Sequence, residues 1–248
     1  MSSELLNLSS VSLAYHTVEG ETAAINDLNL TVYEGEFLAI VGPSGCGKTT
    51  VLSLIMGLMQ PTAGSVRFAS PNVRLGYMLQ RDHLLDHRTV EKNVLLGLEV
   101  QHRLTDEAKA RAMRLLDTYG LGEFRTYKPQ QLSGGMRQKV ALIRTLAIEP
   151  DLLLLDEPFS ALDYQTRLNL SDEVYRIIRR EHKTAILVTH DISEAVSMAD
   201  RVAVFSARPA ELKRLIPIGF LPALSPLERR RQPEFHDYFD RIWEELHA

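Results

Sequence analysis

The chain has 248 residues, of which 45% are hydrophobic and 24% charged, with a formal net charge of −4 at pH 7. That is globular material for one sizeable core, or one core with a subdomain, and its slight acidity argues against a general nucleic-acid footprint. Cys46, the single cysteine, excludes an internal disulfide framework; no apolar run approaches the ~18 residues of a membrane span, and Met1–Leu5 lacks the basic-then-apolar order of a secretory signal.

Residues 5–41 read as β-rich. Leu6, Leu8, Val11 and Leu13 are strand-like but unevenly spaced, while Ala24-Ile25, Leu28, Leu30 and Val32 alternate with polar residues as a half-exposed strand does. Between them, Thr17–Thr22 is expected as a polar loop around Gly20. This antiparallel part leads into a short buried strand, Phe37–Val41, and then into Gly42-Pro43-Ser44-Gly45-Cys46-Gly47-Lys48-Thr49-Thr50. Val51–Met56 continues as the first turns of a helix. Strand, glycine-rich turn and helix is the context that makes G-x-x-x-x-G-K-[ST] a phosphate loop. Glycines let successive N–H groups converge and a phosphate approach closely. The helix start adds unpaired N–H groups and a favourable dipole. Lys48 brings a compact positive charge to the β- and γ-phosphates, and the Thr49 hydroxyl is placed for Mg²⁺. Alone, the loop implies binding of a nucleoside triphosphate and no more. Cys46 inside it reads as a small space-filler; the competing reading is a thiol whose oxidation or alkylation would block the nucleotide.

Gly57 and Pro61-Thr62-Ala63-Gly64 then punctuate the chain. Ser65–Phe68 and Val73–Met78 follow as strands, with Gln80 just past the second. From Thr89 to about Gly122 the pattern is helical, with a start at Thr105-Asp106-Glu107 and a stop at Gly120. This block interrupts the α/β alternation and suggests a helical subdomain. Ser133 opens a further helix to about Ile148. The runs Leu152–Leu155, Ala185–Thr189 and Val202–Phe205 are continuously apolar, as central parallel strands require. Between them lie a helix near Tyr164–His182 and a short one from Asp191, where Asp191 and Glu194 form an expected capping box. Strands alternating with helices imply a mostly parallel α/β sheet. Near the end, Phe235, Tyr238, Phe239, Ile242, Trp243 and Leu246 recur at helical spacing, a stripe expected to pack onto the body. Arg229-Arg230-Arg231 is expected as a solvated turn.

Two further stretches carry chemistry. Leu152–Asp156 ends an apolar strand on a carboxylate, and Glu157 follows. The C-terminal edge of a parallel sheet is where ligands sit. There Asp156 can hold Mg²⁺, directly or through water, while Glu157, pointing elsewhere, can take a proton from a water attacking the γ-phosphate. Leu132-Ser133-Gly134-Gly135-Met136-Arg137-Gln138 places a serine and two glycines at a helix start, a second nest of N–H donors.

Taken in order, Tyr15, the phosphate loop, Gln80, Leu132–Met136, Asp156–Glu157, Ser160-Ala161-Leu162-Asp163 and His190 after a strand make the chain resemble the ATP-binding subunits of ABC transporters over nearly its whole length. The resemblance implies a P-loop NTPase core of α/β class with a mostly parallel sheet, an N-terminal antiparallel β part and a helical signature subdomain. All of it falls in a single domain over 1–248. The core would take 1–85 and 150–210, the helical subdomain about 86–149, and a short C-terminal extension with an amphipathic helix about 211–248. It also implies roles. Tyr15 would stack on adenine. Gly42, Pro43, Ser44, Gly45, Cys46, Gly47, Lys48, Thr49 and Thr50 would cradle the phosphates. Thr49, Gln80 and Asp156 would surround Mg²⁺, the ion that accompanies ATP. Glu157 would be the general base, with His190, Gln80 and Lys48 completing the catalytic set. Ser133, Gly134, Gly135 and Asp163 would reach across to ATP held by a second ATPase subunit in a homodimer. Implied partners are membrane permease subunits and, indirectly, a solute-binding protein, at the cytoplasmic face of the membrane, with no nucleic acid.

Met136 stands where glutamine is commonest in the wider family. Met136-Arg137-Gln138, Leu84-Leu85, Thr89-Val90, Asn93-Val94 and Ser206-Ala207-Arg208-Pro209 resemble the importer ATPases for nitrate, sulfonates, taurine and related small solutes. The alternatives are an exporter ATPase, which is often fused to its membrane part, and an ABC-type ATPase acting on DNA or ribosomes, which carries coiled-coil insertions or two cassettes. A non-hydrolysing regulator would lack the acid at 157 or the histidine at 190, and both are present.

Overall fold

Two long antiparallel strands, β1 (Glu4–Thr17) and β2 (Gly20–Tyr33), open the chain. The computed structural model describes residues 3–17 and 20–247. The expected Thr17–Thr22 loop therefore falls partly on Val18 and Glu19, which lie outside the described residues, as do Met1 and Ser2 of the N-terminal stretch. The uneven spacing of Leu6, Leu8, Val11 and Leu13 has a physical cause. The register of β1 against β2 shifts between Leu8 and Val11, where Ser10 takes φ +47°. The bulge adds a residue and returns the next apolar side chains to the buried face, so all four are buried.

β3 (Phe37–Val41) leads through the glycine-rich turn into α1 (Lys48–Ile55). β4 (Ala63–Phe68) turns back to pair with the free edge of β1, giving a three-stranded sheet in the order β2-β1-β4. β5 (Leu75–Met78) starts two residues later than the expected Val73, because the Arg74 backbone turns its N–H to the Asp151 carboxylate.

The helical block resolves into α2 (Val90–Val100) and α3 (Asp106–Thr118). Each has a threonine cap: Thr89 accepts from the Lys92 N–H and Thr105 from the Ala108 N–H. Gly120, at φ +73°, follows α3. α4 (Gly134–Ala147) packs against α2 and α3 and carries Ser133 as its cap. Asn93, fully buried on α2, accepts from the Leu85 N–H at 2.7 Å and donates to the Leu85 carbonyl at 3.1 Å. It thereby staples the segment after Gln80 onto the helical block.

β6 (Leu152–Asp156), α5 (Tyr164–Arg180), β7 (Thr184–Val188), α6 (Ile192–Met198), β8 (Arg201–Phe205) and β9 (Leu212–Pro217) complete the second sheet. Among the described residues its order is β5-β6-β7-β3-β8-β9, all parallel except the edge strand β9. β3, β6 and β7 are buried at every position. Alternate side chains serve two cores: Leu153, Leu155, Ala185 and Leu187 pack under the helices, while Leu152, Leu154, Ile186 and Val188 face α1 and the antiparallel sheet. Burial on both faces is why these strands read as unbroken apolar runs. Among the described residues no helix is long and apolar enough to cross a membrane.

Two expectations near the C-terminal half are corrected. Asp191 caps α6, accepting from the Ser193 and Glu194 N–H groups, but the Glu194 half of the capping box is not made. Glu194 is 3% exposed and takes the Thr189 hydroxyl at 2.7 Å instead, and the Asp191 N–H goes to the Thr189 oxygen. The three arginines do not form a solvated turn either. They end the short helix α7 (Pro226–Arg229), and Arg229 is 2% exposed. Its guanidinium donates to the carbonyls of Leu224, Ser197 and Ala199 and to the Tyr175 hydroxyl at 2.6 Å, over the rings of Tyr175 and Phe220. Only Arg231 of the three is exposed. In α8 (Glu234–His247) the stripe does pack on the body, through buried Phe235 and Ile242, whereas Trp243 stays 50% exposed and stacks on His247.

Truncating Arg229 strands three carbonyls and a tyrosine hydroxyl in a dry socket. Arg229→Ala is expected to lower unfolding stability by about 2–4 kcal/mol, and Arg231→Ala by no more than about 0.5 kcal/mol. Urea unfolding followed by circular dichroism reads the difference; equal midpoints for the two variants would remove the socket from the fold's support.

Candidate active site

Four neighbouring parallel strands, β5, β6, β7 and β3, deliver their C-terminal ends to one edge of the sheet. Each exit carries a candidate residue: Gln80 after β5, Asp156-Glu157 at the end of β6, His190 two residues past β7, and the phosphate loop after β3. The register aligns them, with Met78 beside Leu155, Asp156 beside Val188, and Val188 beside Ile40.

At the phosphate loop Gly47 takes φ +127°, and a Cβ there would stand 3.0 Å from the Ala24 carbonyl oxygen, so only glycine fits. Lys48 is 5% exposed and arches over the loop, its ammonium donating to the Gly42 and Pro43 carbonyls at 2.8 and 2.9 Å. Pro43, Ser44 and Gly45 remain exposed at the rim.

Asp156 is 5% exposed and both its oxygens are held. Thr49 donates its hydroxyl to Oδ1 at 3.0 Å and Tyr77 donates to Oδ2 at 3.2 Å. Burial pushes the Asp156 carboxyl above the usual carboxylate range, and the two hydrogen bonds and Lys48 act against that rise. Burial and the adjoining carboxylate also push the Tyr77 hydroxyl up, which keeps it a donor. Sequence reasoning missed Tyr77. It is three residues before Gln80, and only the pairing of β5 with β6, which sets it beside Leu154, brings its hydroxyl to the carboxylate two residues further on. Thr49 and Asp156 together offer hard oxygen donors, one neutral and one anionic, suited to a small dication that takes its remaining ligands from water and phosphate.

Glu157 turns the other way. It sits at φ +45°, uncommon for a residue with a side chain, and its N–H donates to the Val188 carbonyl at 2.9 Å. That kink separates the two acids. Glu157 Oε2 is 3.1 Å from His190 Nδ1, and Gln80 donates its amide to the same oxygen at 3.4 Å and to the Ser160 hydroxyl at 3.2 Å. Gln80 is thus gathered with Glu157 and His190, not with Thr49 and Asp156. Tyr15 is on β1, its hydroxyl 3.2 Å from the Thr50 hydroxyl and its ring faced by the Arg208 guanidinium at 5.8 Å.

The remaining candidates form a second group, on the start of α4 and the loop before α5. Ser133 Oγ accepts the Met136 N–H at 3.2 Å, and Asp163 caps α5 by accepting from the Thr166 N–H at 3.0 Å. A Cβ at Gly134 would stand 3.3 Å from Leu162, and one at Gly135 3.2 Å from Thr166. The serine–glycine helix start therefore rests against the loop that carries Asp163.

Residues 25–160 match the model of a family described as ABC transporter. The chain is similar to an uncharacterized ABC transporter ATP-binding protein of Bacillus subtilis, YtlC, at 45% identity over 98% of this chain and 96% of that protein. It is 38% identical to the aliphatic sulfonates import ATP-binding protein SsuB of Bacillus licheniformis, over 91% of this chain and 88% of that one. Among solved structures it is similar to the dimeric, post-hydrolysis state of the ATP-binding cassette MJ0796 bound to ADP and Pi. There the TM-score is 0.74 and the identity 30%, covering 88% of this chain and 100% of that chain.

Cys46 is 1% exposed, and its Sγ fills the space beside Gly42, 2.9 Å from where a Cβ would stand. Burial pushes the thiol up, against the lowering influence of Lys48. A raised thiol pKa leaves less thiolate at any working pH, and the thiolate is the reactive form. Alkylation by iodoacetamide at pH 8 is expected to run at least about tenfold slower than for the urea-unfolded chain, with a rate still climbing above the pH where the unfolded thiol levels off. Mass spectrometry against time measures it. Equal rates in the folded and unfolded states would restore the reactive-thiol reading.

Proposed function

The chain belongs to the ATP-binding subunits of ABC transporters, and from that premise we propose that it is the motor of an importer for a small solute of the sulfonate, nitrate or taurine kind. The domains of this family hydrolyse ATP to ADP and phosphate. The importer assignment is supported by the similarity to SsuB and by the resemblance of Met136-Arg137-Gln138 and Ser206–Pro209 to that subgroup.

One observation carries the hydrolytic assignment: the Glu157 carboxylate, turned away from Asp156, meets His190 and Gln80 at the sheet edge that also carries the phosphate loop. In this reading Tyr15 stacks on the adenine. The loop amides of 42–50 and Lys48 hold the phosphates. Thr49 and Asp156 would hold Mg²⁺, which when bound would neutralise charge on the phosphate oxygens, and Gln80, which rests with Glu157 and His190, would have to turn from them to join that set. Glu157 accepts a proton from a water as the water oxygen bonds to the γ-phosphorus. The bond from that phosphorus to the β–γ bridging oxygen breaks, and ADP keeps the electron pair. His190 orients the water and the γ-phosphoryl oxygens. Ser133, Gly134 and Gly135, at the N-terminus of α4, present N–H and hydroxyl groups to the γ-phosphate of a nucleotide on a second copy of the chain, and Asp163 crosses the same seam. The segment 86–149 moves as a helical subdomain and conveys the change to permease subunits at the cytoplasmic face, which receive solute from a binding protein.

The purified chain is expected to turn over ATP slowly. Glu157→Gln is expected to lose about 10²–10³-fold in kcat while forming a dimer that appears on size exclusion only with ATP. Turnover of the variant within about twofold of the parent would take the proton-accepting role from Glu157.

A further inference from the structure

The reading above leaves open how the loop at Asp163, which acts on one nucleotide, is kept in step with His190, which acts on the other. Arg167, in the first turn of α5, reaches the Asp163 loop and the residues that frame His190. Its Nη2 donates to the carbonyl of Leu162, the residue before Asp163, at 3.2 Å. Its Nη1 is 3.5 Å from the Asp191 carboxylate and its Nε 3.8 Å from that of Glu194. Asp191 directly follows His190 and caps α6. Glu194 binds the hydroxyl of Thr189, directly before His190, and that hydroxyl oxygen accepts the Asp191 N–H. The residues on both sides of the histidine are therefore knit into one network, and Arg167 joins that network to the Asp163 loop.

Three features argue that this is a joint and not only a brace. The two carboxylate distances are longer than the roughly 2.7–2.9 Å of a tightened charge-assisted bond, so the guanidinium lies between its partners without being locked on either. Its Nε is buried without a hydrogen-bond partner, a donor that a small shift toward Glu194 would satisfy. The same loop and the first turn of α5 are also where the signature helix rests, through Leu162 on Gly134 and Thr166 on Gly135. Arg230, directly after α7, lies within electrostatic reach of Asp191 and Glu194 and so brings the C-terminal extension to this cluster. A planar fork with several donors can bridge a carbonyl and two carboxylates; a lysine ammonium is a single point of charge.

We propose that Arg167 is a positioning residue that registers the Asp163 loop against His190, so that docking of a second copy on the loop sets the histidine over its own nucleotide. The proposal rests on the roles given above to Asp163 and His190.

The test compares Arg167→Lys and Arg167→Ala with the parent in steady-state ATP hydrolysis, thermal melting and ATP-induced dimerisation in the Glu157→Gln background. Lysine keeps the charge of the cluster but not the fork. Arg167→Lys is expected to melt within about 2 °C of the parent, to lose about tenfold in kcat, and to leave KM for ATP within about twofold. The double variant with Glu157→Gln is expected to form the ATP-held dimer, separating docking from turnover. Parent-like kcat in Arg167→Lys would overturn the proposal, because charge alone would then suffice. A rise in KM matching the fall in kcat would also overturn it, by placing the defect in nucleotide binding. Should Glu157→Gln alone form no ATP-dependent dimer, the functional reading fails first, and that result is distinct from either of the others.

Discussion

The hydrogen bond from the Glu157 N–H to the Val188 carbonyl is the constraint on which the rest of the site depends. It extends the pairing of β6 with β7 one residue past Asp156, with Glu157 in the left-handed region. Asp156 is thereby turned toward Thr49 and Glu157 toward His190. A one-residue slip would exchange the two sides of the strand and dismantle both pairs at once. Yet β6 and β7 are apolar on both faces, so hydrophobic alternation cannot fix their register. Polar contacts at the strand ends do. The Arg74 N–H meets the Asp151 carboxylate, the Gly35 N–H meets the Thr184 hydroxyl, and Thr49 meets Asp156 at the functional edge. The greasy middle of each strand supplies stability, and a few polar atoms at its ends decide position.

The same division runs through the two groups of functional residues. The sheet-edge group is assembled on one element, the parallel sheet, and its side chains are already in contact. The serine–glycine side is assembled on helix starts, where caps hold the backbone N–H groups in a fixed direction. The two glycines there are explained by packing, since Leu162 and Thr166 leave no room for a Cβ without displacement.

Much of this could be read from sequence where the chemistry restricts residue type within one continuous segment. The phosphate loop, the Asp156-Glu157 pair, the serine–glycine helix start and the threonine caps of α2 and α3 are of that kind. The missed features are pairings between segments. Tyr77 matters only because β5 lies beside β6. Glu194 is one helical turn from Asp191 and looked like its capping partner, but burial placed the Thr189 hydroxyl closer and left no water to compete. The arginine run misled for a geometric reason. Consecutive residues on a helical turn point in different directions, so one guanidinium enters the Tyr175–Phe220 socket while its neighbour two places on faces solvent.

The departures from ordinary folding rules gather in the same region. Asp156 and Glu194 are buried acids raised by desolvation, Glu157 is held in a left-handed conformation, and Arg167 keeps a buried Nε without a hydrogen-bond partner. Each is unfavourable for stability taken alone. All four lie at the exit of β6 or on α5 and α6, the helices that follow β6 and β7 in the chain and pack on each other. A chain selected for stability alone would place leucines and threonines at such positions. The aliphatic layers on both faces of the sheet offset these costs. What the unfavourable groups provide is geometry: two carboxylates a residue apart that face different partners, and a histidine whose flanking residues are fixed from three sides. Because that geometry is set by hydrogen bonds between adjacent loops and not by any one loop, the site behaves as a unit.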